Sequence, residues 1–200
     1  MTGLLVGAVF GAVFVVVNAH DPLNPVAAVV LRVAACLAAA YVLILWFVAA
    51  RRNPPAPGSG GGGGQAMFGR GYLIVVAAEA ALLFGGLRVL AALEFPEQGN
   101  VGWVAFVVGV HFIALAPIWK DYGIAVPGVV LTLLGAAGLV LAWTSMAAWA
   151  PFVSGVLSGV ALLAGSTTFA WRTVASARAS AGSGADQPAV ARQEPQVSNS

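Results

Sequence analysis

"GWVAFVVGVHFIALAPIW", residues 102–119, carries a single ionisable side chain, His111, in an otherwise apolar run. A helix of about 20 apolar residues crosses the hydrocarbon core of a bilayer, and about 17 suffice. A surface helix of a soluble domain of that length would show a polar face. This stretch has none, so it reads as a membrane span.

Working outward, five further stretches have the same character, giving six expected spans near 3–19, 26–50, 71–93, 102–119, 124–143 and 148–171. The whole chain of 200 residues is 60% hydrophobic and 8% charged, against about 25% charged in a soluble domain. Bilayer hydrocarbon cannot satisfy free backbone N–H and C=O groups, so each span must be helical. A membrane β-barrel would need ten-residue segments of alternating polarity, and the sequence lacks them. The expected fold class is all-α, a polytopic transmembrane helical bundle whose first solvent partner is the lipid bilayer.

Charge sets the orientation. Arg51, Arg52 and Arg70 flank the loop between the second and third spans, Lys120 lies between the fourth and fifth, and Arg172, Arg178 and Arg192 follow the sixth. The other connections, "HDPLNP", "EFPEQGN" and "TSMAAWA", hold no Lys or Arg, and they contain Asp21, Glu94 and Glu97. Basic residues concentrate on cytoplasmic loops, so both termini are expected in the cytoplasm, with the chain crossing the membrane as a multi-pass protein. Tyr72, Trp103, Trp119, Tyr122, Trp143, Trp149 and Trp171 fall near span ends, where amphipathic rings favour the headgroup layer. "VVNA" before His20 offers small residues of the kind a signal peptidase inspects, but "MTG" supplies no basic n-region, so the first span is expected to be retained.

Residues 51–70 contain "RRNPPAPGSGGGGGQAM", a Pro- and Gly-rich flexible cytoplasmic loop, and 173–200 read as a disordered cytoplasmic tail. Neither houses a soluble catalytic domain, so residues 1–172 form the one membrane domain. The halves of the chain share only "EAALLFGG" at 79–86 and "GVALLAGS" at 159–166, a match that low-complexity apolar sequence produces by chance. The lone Cys36 allows no disulfide framework and reads as a small buried hydrophobe. The nine Lys and Arg are scattered rather than patched, which argues against nucleic acid as a partner.

Four ionisable residues fall inside spans: Arg32, Glu79, Arg88 and His111. A charged group at a span centre costs roughly 2.5–3.5 kcal/mol on translocon scales, so such groups face the bundle interior and find company. At about 1.5 Å rise per residue, Glu79 and His111 share a depth near the midplane, whereas Arg32 and Arg88 lie in the outer leaflet. Glu79 and Arg88 are on opposite faces of one helix. The expected pair is therefore Glu79 with His111, and Arg32 is the second candidate cation. Three readings fit such a pair: a structural interhelical hydrogen bond, a polar cavity for a proton or small solute, or a vestibule reached only from outside.

Asn18 ends the first span and can cap it at the interface. "GAVFG" at 7–11 and "GVLSG" at 155–159 are GxxxG frames suited to close helix packing, within the chain or in a homo-oligomer. Pro127 and Pro151 stand near span beginnings, and Pro117 should end or bend the fourth helix. One intramembrane histidine cannot supply the two axial ligands of a haem, and His111, Glu79 and a distant cysteine make no convincing metal set, so no cofactor is expected. No nucleophile elbow, H-E-x-x-H or phosphate-binding loop occurs, which makes an enzyme the least supported class.

"GAVFGAVFVVVNA" in the first span, a lone Glu before "AALLFGG" in the third and "VGVHFIALA" in the fourth together resemble a group of small bacterial integral membrane proteins of unknown function. The resemblance covers most of residues 3–120, and it implies that Asn18, Glu79 and His111 occur together; with Arg32 they are the candidate binding residues. Members of the group usually carry proline at the position of Ala114. The resemblance implies no activity. Two functions remain open: a small transporter or channel-like protein built around Glu79 and His111, and a non-transporting structural or regulatory component that packs with partner helices.

Overall fold

The computed structural model describes residues 2–52 and 69–185, with side chains from Leu5 to Arg51 and from Gly69 to Ser176. The flexible-loop expectation for 53–68 and the tail beyond 185 lie outside the described residues. Within them every element is helical: α1 (Thr2–Asn18), α2 (Pro25–Arg52), α3 (Arg70–Ala92), α4 (Gly99–Trp119), α5 (Ala125–Ala142) and α6 (Leu157–Ala185). Short 3-10 turns at Tyr122–Ile124 and Ala147–Trp149 and a π-helical turn at Pro151–Val156 complete the path. Five segments are long and apolar enough to cross a membrane: Pro25–Arg51, Arg70–Ala92, Gly99–Trp119, Tyr122–Ala142 and Ala147–Ser176. Leu5–Asn18 is apolar but shorter.

Local chemistry explains where the helices start and stop. Asn24 Oδ1 accepts the Val26 backbone N–H at 2.8 Å, capping α2, and Pro25 occupies the first helical position, where a missing N–H costs nothing. α3 ends at Leu93 with Glu94 in the left-handed region (φ 53°) and the Phe95 N–H returning to Leu90 C=O at 2.9 Å. α4 ends in the same way, with Lys120 at φ 54° and the Asp121 N–H on Ala116 C=O at 3.1 Å. Both are Schellman-type closures, which recover carbonyls that a helix end leaves without partners. Pro117 lies inside α4, and the helix stops two residues later, at Trp119.

Glycine decides the packing. α4 and α5 run antiparallel with glycines at matching seven-residue intervals, Gly102 and Gly109 facing Gly135 and Gly128. A Cβ on Gly135 would stand 2.7 Å from the Gly102 carbonyl, and one on Gly109 would stand 2.7 Å from the Gly128 carbonyl. Only residues without a side chain let two backbones come this close. α1 and α6 meet in the same manner, since a Cβ on Gly11 would fall 2.8 Å from the Gly159 carbonyl. The two GxxxG frames at 7–11 and 155–159 thus engage each other within one chain. Around them Val15, Ala35, Val42, Val156 and Leu163 form one buried cluster, and Val108, Leu131 and Leu162 join α4, α5 and α6 in another.

Two expectations need correction. Cys36 is exposed rather than buried, because α2 packs on α1 and α6 along one side only and residue 36 falls on the other. α6 continues in helical form to Ala185, past the point at Thr173 where the disordered tail was expected to begin. The Ala-rich run "ASARASAGSGA" carries enough helix formers to extend the hydrogen-bond ladder once α6 has nucleated it.

Candidate intramembrane Glu–His site

α3 has no buried residue and packs chiefly against α4. Three contacts align along this pair. At one end Tyr72 and Trp119 stack with ring centroids 6.1 Å apart. In the middle Glu79 Oε2 lies 2.9 Å from His111 Nδ1. Toward the other end the Trp103 indole N–H donates to the Leu82 carbonyl at 3.0 Å.

The central contact joins the two residues that the sequence paired by depth. Glu79 stands about 19 Å from the Ala92 end of its helix and His111 about 18 Å from the Gly99 end of its own, at 1.5 Å per residue. Their side chains are 21% and 13% exposed respectively, so both are largely withdrawn from the surface. Nδ1 is buried and no acceptor meets it in line: the carboxylate oxygen is near enough for an ion pair but off the N–H direction. The His111 ring also meets the edge of Phe112 at 5.8 Å, which restricts its rotation.

Trp103 is the contact that sequence reading missed, because a tryptophan near a span end is first read as an interfacial anchor. Its indole lies on Gly86, where a Cβ would overlap the ring. Gly86 is also the residue four beyond Leu82, so its missing side chain uncovers the very carbonyl that the indole reaches. That spacing, a glycine four residues after a carbonyl at tryptophan depth, was the available signal.

The other expected site residues are not brought to this pair. Asn18 donates from Nδ2 to Phe14 C=O at 2.8 Å, and its side chain covers Gly155, where a Cβ would fall 2.5 Å from Asn18 Cβ. It joins α1 to the π-helical turn. Arg32 lies on α2 and makes no ion pair among the described residues, and its Nε is buried without an acceptor. Arg88 is exposed on α3. Among the described residues no group of three or more His, Cys, Asp or Glu is placed to hold a metal.

Comparison with protein-family models, with curated proteins and with solved structures found no match. The likeness to small bacterial membrane proteins therefore rests on its quoted motifs alone.

Proposed function

We propose that this chain is a six-span protein of the bacterial inner membrane, with both termini cytoplasmic, and that it acts as a small transporter or channel-like protein whose polar site is the Glu79–His111 pair. The carrying observation is the 2.9 Å approach of a carboxylate to an imidazole at matched depth in two neighbouring apolar helices. Ionisable groups inside a bilayer are costly and commonly mark a proton or solute path. Imidazole and carboxyl are also the two side chains best suited to passing a proton near neutral pH. α1 counts as the sixth span because it lies antiparallel along α6, from Gly7 beside Ser166 to Asn18 beside Gly155.

Single cysteines flanking Glu79 and His111, introduced after Cys36 is replaced, test water access with a membrane-impermeant thiol reagent. Labelling deep within α3 and α4, together with proton or solute flux in liposomes that Glu79→Gln abolishes, supports the reading. Silence at every position and no flux refute it. The second reading, a non-transporting component that packs with partner helices, draws on the absence of any buried residue in α3. It predicts that α3 cysteines cross-link between copies or to another protein while deep labelling stays negative.

A further inference from the structure

α3 buries none of its residues and packs chiefly against α4, so one seam fixes its place. Apolar contacts along that seam give little preference for one register, because lipid tails are as apolar as leucine and compete for the same surface. A slip of one residue would move α3 by about 1.5 Å and turn it by about 100°. Either change would carry Glu79 off His111. A directional contact is needed to hold the register.

Trp103 supplies one. Its indole N–H donates at 3.0 Å to the carbonyl of Leu82, three residues past Glu79 on α3. The ring lies on Gly86, where a Cβ would overlap Nε1, Cε2 and Cζ2. Gly86 is seven residues beyond Glu79, about 10 Å along the helix and within about 20° of the same face, so glycine and carboxylate turn toward α4 together. Behind the indole, Phe106 stacks on it with ring centroids 5.9 Å apart, and the Phe106 backbone is pressed against Gly135 of α5. The indole is thereby fixed to the close-packed α4–α5 pair while its N–H and ring engage α3. The adjacent Gly85 has nothing within 4 Å of a Cβ, so only one of the two glycines forms the seat.

We propose that Trp103 is a positioning residue for the Glu79–His111 site, setting the register of α3 on α4 through its seat on Gly86 and its bond to Leu82. It stands about 12 Å along α4 from His111 and acts through the rigid turns between them. A site made of two side chains on two helices depends on such support, since a displacement of about 1 Å is enough to part them. The role rests on the Glu79–His111 reading and adds Trp103 and Gly86 to it.

The chain has two histidines, so His20→Gln leaves His111 as the one imidazole. Full-length protein carrying isotopically labelled histidine is reconstituted in lipid, and NMR records how far Glu79→Gln displaces the imidazole nitrogen resonances. A displacement is expected in the otherwise wild-type chain, whose carboxylate lies 2.9 Å from Nδ1. Gly86→Ala should abolish it, and so should Trp103→Leu, which removes both ring and donor and leaves Gly86 in place. The two changes act from opposite helices, so one stays informative if the other fails to fold. Gly85→Ala adds the same methyl group and the same gain in helix propensity one residue away, and it should leave the displacement whole. A displacement undiminished by Gly86→Ala or by Trp103→Leu overturns the positioning role and leaves the pair standing, as does its loss in Gly85→Ala. No displacement in the otherwise wild-type chain removes the pair itself, and the role of Trp103 with it.

Discussion

Replacing Glu79 by Gln and His111 by Ala, singly and together, measures what the intramembrane pair contributes. Two unit charges 2.9 Å apart attract by about 5.7 kcal/mol at an effective dielectric constant of 20. Desolvating both groups consumes most of that gross figure. Polar pairs between membrane helices measured by double-mutant cycles average about 0.6 kcal/mol and reach about 1.7. Because the carboxylate oxygen sits off the N–H direction, the coupling should fall inside that measured range rather than near the Coulomb value. For a chain of this size about 1 kcal/mol shifts the unfolding midpoint by roughly 2–4 °C, so the interaction corresponds to about 1–7 °C. Reversible unfolding of the four proteins in detergent gives the coupling as the departure of the double variant from the sum of the singles. Losses that add to within about 0.3 kcal/mol, the usual limit for independent sites, would show that the two side chains do not interact and would remove the basis of the proposed site.

Further outcomes follow from the packing. Gly135→Leu should cost about 1–3 kcal/mol or more, since its side chain meets the Phe106 backbone and the Gly102 carbonyl; Gly85→Ala, with nothing within 4 Å, should leave the unfolding midpoint unlowered. Trp103→Phe removes the indole N–H from Leu82 and should cost about 0.5–1.5 kcal/mol, read by the same unfolding assay. Cys36, facing lipid on α2, should stay unlabelled by an impermeant maleimide in intact vesicles and become labelled once the protein is unfolded in denaturant, as mass spectrometry would register; labelling in the intact vesicle would contradict its lipid-facing position.

Helix identity was legible because a bilayer span is a threshold on length and polarity, and the stretches around His111, Glu79 and Arg32 pass it plainly. The Glu79–His111 contact was legible for a related reason. Depth follows from counting residues, and two costly groups at one depth have cause to meet. Rotation about a helix axis is different: α2 is apolar on every side, so nothing in its pattern says which face turns inward. That is why the outward position of Cys36 and the separation of Arg32 from Glu79 had to come from the structure. Pro151 is visible as a helix start, but no local signal records the π-helical turn that follows, where Asn18 rests on Gly155 across the bundle. Trp103 likewise meets two demands, an interfacial preference and a carbonyl uncovered by Gly86, and only the second fixes its place.

The meeting of Gly11 with Gly159 bears on biosynthesis. Asn18 and Leu157 are about 140 residues apart, and translation proceeds at about 5–20 residues per second, so α1 waits roughly 7–28 s after synthesis before its docking groove exists. The α4–α5 hairpin has no such wait, because Trp119 and Ala125 are only six residues apart. During the interval the bare glycine ridge of α1 is open to any small-residue helix nearby, which makes the nascent chain rather than the finished protein the stage most exposed to mispairing.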